Sequence, residues 1–270
     1  MNAADKLIVA LDLPRQQADE QVRQLTGVAK WLKVGMTLYY RSGPSVIHSY
    51  REQGFFVFAD LKLHDIPHQV KGAAAALTAA KADMISVHAS GGLEMMRAAL
   101  AGIHEATYEA TEPHDAFDAR EAAAEPHDAF DAREVATAND ATNQQRRPLC
   151  VAITVLTSLN DADLAMQGIH ARPSEQAARL ADLAMRAGMD GIVCSPAETQ
   201  AMRRELGEQA VIVTPGIRPA GVAVDDQKRQ ATPTQALRAG ASYLVVGRPV
   251  TQADDPKSAL RDILNDLGNA

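Results

Sequence analysis

Phe56-Val57-Phe58-Ala59-Asp60-Leu61-Lys62-Leu63-His64-Asp65-Ile66-Pro67 begins as an apolar strand and ends in charge. An amphipathic helical stretch follows at Gln69–Lys81, and another apolar run at Met84–Ser90. Strand, helix, strand, with apolar runs that are continuous rather than alternating, predicts parallel strands buried on both faces under a layer of helices. Period-two geometry puts Asp60 and Lys62 on one side of their strand, with Asp65 one turn further on, able to reach back or across to a partner subunit. Carboxylates and amines are rarely sunk in an interior unless paired or used, so the cluster is expected at a rim.

Outward from that unit the rhythm repeats. Apolar runs occur at Leu7–Asp12, Trp31–Met36, Phe56–Lys62, Met84–Ser90, Leu149–Ser158, Gly191–Pro196, Val211–Ile217 and Tyr243–Pro249. Helical patterns fall between them at Arg41–Gln53, Gln69–Lys81, Leu93–Ile103, Ser174–Ala187 and Thr199–Leu206. Eight such units predict a closed (β/α)8 barrel, a single domain over residues 1–270. A doubly wound open sheet would carry a glycine-rich G-x-G-x-x-G turn after its first strand, where Leu11-Asp12-Leu13-Pro14 stands instead.

With 46% hydrophobic content, 270 residues can bury a large core. No apolar run approaches the roughly 20 residues needed to span a bilayer, and the N-terminus lacks a signal-peptide pattern, so a soluble cytoplasmic protein without a membrane partner is expected. Cys150 and Cys194 lie in apolar runs without metal-ligand spacing and read as core residues of a reducing compartment.

The net charge of −7 is local. Residues 104–147 hold 11 acidic and 4 basic residues, and the remainder balances at 23 of each sign. No nucleic-acid footprint is expected from that balance. Within the segment EPHDAFDARE occurs at 112–121 and again at 125–134. Two copies are too few for a repeat fold, so 104–147 reads as a duplicated acidic surface insertion between the fourth helix and fifth strand, on the N-terminal face of the barrel.

Barrel strands converge at their C-terminal ends, so those ends are read together. They carry Asp12, Lys33, Asp60 with Lys62, His88, Thr157 with Ser158, Gly216 with Arg218, and Gly247 with Arg248. Singly, Lys33 could snorkel, Asp12 could cap, His88 could be a satisfied core histidine and Thr157 a strand former; convergence favours a site. Thr214-Pro215-Gly216-Ile217-Arg218 and Val246-Gly247-Arg248-Pro249 end the seventh and eighth strands, where barrels commonly bind phosphate. Glycine lets backbone N–H groups approach an anion, and arginine offers a matching fork. Between them Pro219–Thr232 is polar and aperiodic, suiting a lid, with Gln227 its candidate ligand contact. A lysine among carboxylates stays protonated and suits proton donation rather than Schiff-base chemistry.

These residues resemble a known family. Asp60-Leu61-Lys62-Leu63-His64-Asp65-Ile66-Pro67 is similar to the D-x-K-x-x-D-I-P signature of the orotidine 5′-phosphate decarboxylases. The likeness continues through Lys33-Val34-Gly35, Val87-His88-Ala89-Ser90-Gly91-Gly92, Thr154-Val155-Leu156-Thr157-Ser158 and both phosphate segments, leaving out only 104–147. It implies cofactor-free and metal-free conversion of orotidine 5′-phosphate to uridine 5′-phosphate and CO2 by a barrel homodimer with a shared site. Lys62 would protonate ring carbon 6, Asp60 would face the departing carboxylate, and Asp65 and Ile66 would enter the neighbouring subunit's site. Asp12 and Lys33 would hold the ribose hydroxyls, Thr157 the pyrimidine edge, and Arg218, Gln227, Gly247 and Arg248 the phosphate and lid. Two rivals are a metal-dependent keto-sugar-phosphate synthase or decarboxylase with a similar D-x-K-x-x-D strand, and a phosphate-binding barrel without catalysis.

Overall fold

The computed structural model describes residues 3–109, 147–218 and 231–268. Eight parallel strands close into a barrel in chain order: β1 Leu7–Ala10, β2 Trp31–Gly35, β3 Phe56–Leu63, β4 Met84–His88, β5 Leu149–Ile153, β6 Gly191–Val193, β7 Val211–Thr214 and β8 Tyr243–Val246. Closure is made by β1 against β8, with Ile8 opposite Val245. Helices outside the strands include Arg15–Leu25, Met36–Ser42, Ser45–Glu52, Pro67–Ala79, Leu93–Glu109, Pro173–Ala187, Pro196–Leu206, Pro233–Arg238 and Pro256–Gly268.

Continuous apolar strands follow from burial on both faces: every residue of β1 and of β2 is buried. Ile8, Trp31, Phe58, Met84, Val151, Val213 and Val245 point inward and form one cluster filling the barrel. Outward-facing strand residues and the inner helix faces form the second, larger core. Trp31 stacks on Phe56 at 5.0 Å and meets Tyr243 edge-on at 5.3 Å, plugging the N-terminal end with aromatic surface.

Polar residues just before the even strands stitch that end to the odd ones. Asp83 accepts from the backbone N–H of Val57, Asp190 from that of Cys150, and Ser242 from that of Ile212. Each is held by an arginine: Arg51 pairs with Asp83 at 3.2 Å, Arg147 forks onto Asp190 at 2.7 and 2.8 Å, and Arg203 donates to Ser242 at 3.0 Å. Strand N–H groups at the sheet's lower rim would otherwise lack acceptors, so these clamps serve stability on the face away from chemistry. Helix starts follow local rules: Ser195-Pro196-Ala197-Glu198 and Thr232-Pro233-Thr234-Gln235 each put proline in the first turn; Thr232 and Gln235 close a capping box, and Glu198 accepts the Ser195 N–H at 3.0 Å.

The strands end sooner than the apolar runs suggest, at Ala10, Gly35, His88, Ile153, Val193, Thr214 and Val246, so the mouth is built from loops. The acidic segment begins later than expected, because the helix from Leu93 continues to Glu109 and Arg147 already belongs to the barrel through Asp190. Its remainder, with the tandem repeat, and Gln227 in the expected lid lie outside the described residues. Among the described residues no helix is long and apolar enough to cross a membrane.

Helices Pro67–Ala79 and Leu93–Glu109 touch so closely that a β-carbon at Gly102 would collide with the Lys71 carbonyl oxygen. At an exposed helix position Gly→Ala gains about 1 kcal/mol. Here the sign reverses: Gly102→Ala is expected to destabilise by about 1–3 kcal/mol, read as a lower urea midpoint.

Candidate active site

The site begins with an irregularity in β3. Ala59 lies opposite Ile85 and Leu63 opposite Val87, so residues 60–62 face Ser86 alone. Lys62 absorbs the excess with φ 54°, a left-handed conformation uncommon outside glycine. Asp60 and Lys62 do share a side, as alternation predicts, but the bulge sets their relation.

An alternating row of charges results. Asp12 Oδ1 accepts from Lys33 Nζ at 2.9 Å, Lys33 Nζ lies 3.5 Å from Asp60 Oδ2, and Lys62 Nζ lies 2.7 Å from that same oxygen. Ser86 donates to Asp60 Oδ1 at 2.9 Å. Asp60 and Lys33 are 8% and 7% exposed, so their charges interact through protein rather than water. Burial by itself would raise the Asp60 pKa; the ammoniums of Lys33 and Lys62, with hydrogen bonds from Lys62 and Ser86, outweigh it and hold the carboxyl below its ordinary range. Burial would likewise lower Lys33, but Asp60 and Asp12 prevail and raise it. Both stay charged near neutrality. Gly35 completes the arrangement, since a β-carbon there would strike the Asp12 carboxylate.

This row lines one wall of a cavity of about 460 Å³ at the C-terminal mouth, within the roughly 300–1,000 Å³ typical of ligand pockets. Gly216, Arg218, Gly247 and Arg248 line it too, from the ends of β7 and β8. Gly216 takes φ 81°, which leaves its turn open to a close-approaching ligand. Arg218 is buried, and its backbone N–H bonds the Ala231 carbonyl at 3.0 Å, joining the two ends of the 219–230 segment. Two glycines and two guanidiniums give that side the chemistry to take up an anion.

Of the residues expected from sequence, Asp12, Lys33, Asp60, Lys62, Thr157, Arg218, Gly247 and Arg248 converge on this cavity. Asp65 and Ile66 do not. Among the described residues Lys62 pairs with Asp60 and is not flanked by two carboxylates, because Asp65 turns back to accept the N–H of Ile66 at 2.6 Å and stays exposed. His88 is also outside the lining; it lies 5.2 Å from the His64 ring, and burial, aided by His64 and Lys62, keeps its pKa below the ordinary imidazole range. Sequence reasoning missed Ser86, Cys194, Thr251 and Gln252. The last three line the cavity; Thr251 and Gln252 could have been found one turn past Gly247-Arg248, whereas a serine inside an apolar strand carried no chemical signal.

Asp60, held below its ordinary 3.8, contributes stability that is present above that pH and lost as pH falls through the depressed value. Lys33, raised above 10.5, contributes stability present below that pH and lost as pH rises through the elevated value. The network is therefore intact across the neutral range. Asp60→Asn removes the carboxylate paired with Lys62 and leaves Lys33 with Asp12, and is expected to cost about 3–5 kcal/mol at pH 7. In denaturant melts that gap should narrow as pH falls below about 4.

Comparison with known proteins places this geometry in a family. The family model described as Orotidine 5'-phosphate decarboxylase / HUMPS family matches residues 5–263. The orotidine 5'-phosphate decarboxylase of Moorella thermoacetica is 44% identical over 269 residues, covering 99% of this chain and 94% of that protein. That of Nitrosococcus oceani is 42% identical, covering 98% of each. The crystal structure of orotidine 5'-phosphate decarboxylase from Lactobacillus acidophilus superposes with a TM-score of 0.75 at 33% identity, covering 98% of this chain and 99% of that one. With the barrel, the charged row and these matches together, the chain belongs to the orotidine 5′-phosphate decarboxylase / HUMPS family.

Proposed function

We infer that this protein decarboxylates orotidine 5′-phosphate to uridine 5′-phosphate and CO2, the last step of pyrimidine nucleotide synthesis. The observation that carries this reading is the Asp12–Lys33–Asp60–Lys62 row facing an arginine- and glycine-lined anion subsite across one cavity. The curated relatives that share nearly the whole chain carry that activity in their names. The metal-dependent rivals would place an acidic ligand near the end of β2. In this chain Gly35 has no room for a side chain, and the Lys33 ammonium already sits between Asp12 and Asp60.

In the reaction the bond from ring carbon 6 to the carboxylate breaks, CO2 leaves, and the electron pair stays on carbon 6. Lys62 then transfers an Nζ proton to that carbon. Asp60 serves twice, holding the Lys62 ammonium in place at 2.7 Å and opposing the substrate carboxylate. Like charges about 4 Å apart repel by roughly 4 kcal/mol at an effective dielectric of 20. Enzymes lower barriers by about 8–23 kcal/mol, so repulsion is a minor share. Stabilisation of the developing carbanion by the preorganised Lys62 ammonium supplies more, with phosphate binding at Arg218, Gly247, Arg248 and Gln227 fixing the ring. Asp12 and Lys33 take the ribose hydroxyls and Thr157 the pyrimidine edge. No cofactor is required.

We further propose a cytoplasmic homodimer in which Asp65 and Ile66 complete the partner's site. Ile66, Tyr40 and Met36, all exposed beside the ends of β2 and β3, support that reading, since an apolar face at the rim of a mouth is costly to leave in water. Neither nucleic acid nor membrane enters the reading.

Loss of orotidine absorbance, followed with and without a chelator, tests the activity; inertness, or loss on chelation, would count against it. Lys62→Ala is expected to reduce turnover by at least about 10²–10⁴-fold, the share of a positioned proton donor, while uridine 5′-phosphate binding persists. Mixing Lys62→Ala with Asp65→Ala chains should restore partial activity, and verified hybrids that stay inactive would refute the shared site.

A further inference from the structure

Ser86 is a polar residue with no exposure in the middle of β4, a position where an aliphatic side chain would ordinarily sit. It lies on the inward side above Met84, whereas Ile85 and Val87 face the outer core. A buried hydroxyl is unfavourable unless bonded, so its partners reveal its use. Both belong to the reacting segment. The hydroxyl donates to Asp60 Oδ1 at 2.9 Å and accepts the backbone N–H of Lys62 at 3.0 Å. The second bond replaces what the β3–β4 ladder cannot provide, because the bulge leaves Ser86 as the sole counterpart of residues 60–62. One hydroxyl has one proton to give and lone pairs to receive, so it can serve both at once.

We propose that Ser86 is a positioning residue for the decarboxylation: its hydroxyl locks the Asp60 carboxylate and the left-handed backbone of Lys62 to one another, aiming the ammonium into the cavity. The inference rests on the activity assigned above. Without that bond the Lys62 backbone is free to leave φ 54°, and Asp60 keeps its two ammonium partners while losing the contact that orients its other oxygen. The ground-state site remains charged and able to hold nucleotide; only the aim of the proton donor degrades.

Ser86→Thr and Ser86→Val have nearly the same shape and differ in the hydroxyl, so their comparison cancels packing. The threonine variant is expected to keep kcat within about tenfold of the parent, and the valine variant to lose about 100-fold, the scale of an ångström misplacement. KM and the Kd for uridine 5′-phosphate should be unchanged in both. The acid limb of the kcat profile should move to higher pH in the valine variant, because a hydrogen bond favouring the charged carboxylate is gone. Equal kcat in the two variants, or a loss confined to KM and thermal stability, overturns the proposal. Should threonine prove too bulky to fold, Ser86→Ala against the parent gives the same split. A crystal structure of Ser86→Val provides an arm independent of turnover: unchanged Asp60 rotamer and Lys62 φ overturn the proposal, and a relaxed bulge supports it. Inertness of the parent enzyme itself would instead refute the assigned activity.

Discussion

A carboxylate removed from water between two ammoniums is the interaction on which this site depends. Asp60 is tolerable inside the barrel mouth only because Lys33 and Lys62 neutralise it from two sides and Ser86 occupies its remaining oxygen. The same neighbours keep it ionised. Burial that would be a liability elsewhere here concentrates field at one wall of the cavity.

That arrangement is expensive in local regularity. β3 gives up its ladder with β4 over three residues, and Lys62 adopts a backbone that side chains normally avoid. The opposite end of the barrel is regular. Arginine clamps on Asp83, Asp190 and Ser242, and the Trp31–Phe56–Tyr243 plug, hold the strands in register where no chemistry takes place. Stability and function are thus divided between the two faces of one sheet.

Much of the fold was legible because its physical signal is local. Runs such as Leu7–Ala10 and Trp31–Gly35 are wholly apolar since parallel strands are covered on both sides, and Ser-Pro-Ala-Glu and Thr-Pro-Thr-Gln announce helix starts through capping chemistry. Strand ends were harder. Burial continues past the end of the strand, as after Leu149–Ile153, where Thr154, still bonded to the Val193 carbonyl, and Val155 remain buried. The helix from Leu93 runs past its apolar pattern to Glu109, and Glu105 in that extension pairs with Lys71 of the neighbouring helix, a contact invisible from periodicity.

The order of charged residues along the chain determined which chemistry this protein carries: Asp12, Asp60, Lys62 and the two glycine–arginine strand ends could be named without coordinates because each falls toward the end of an apolar run, and Lys33 because it interrupts one. Tertiary structure alone decided how they meet. The bulge, the left-handed Lys62, the Ser86 bridge and the room left by Gly35 arise from contacts between β1, β2, β3 and β4. The physical reason is that charge and hydropathy are properties of single residues, while the direction of a side chain is set by what its neighbours across the sheet allow.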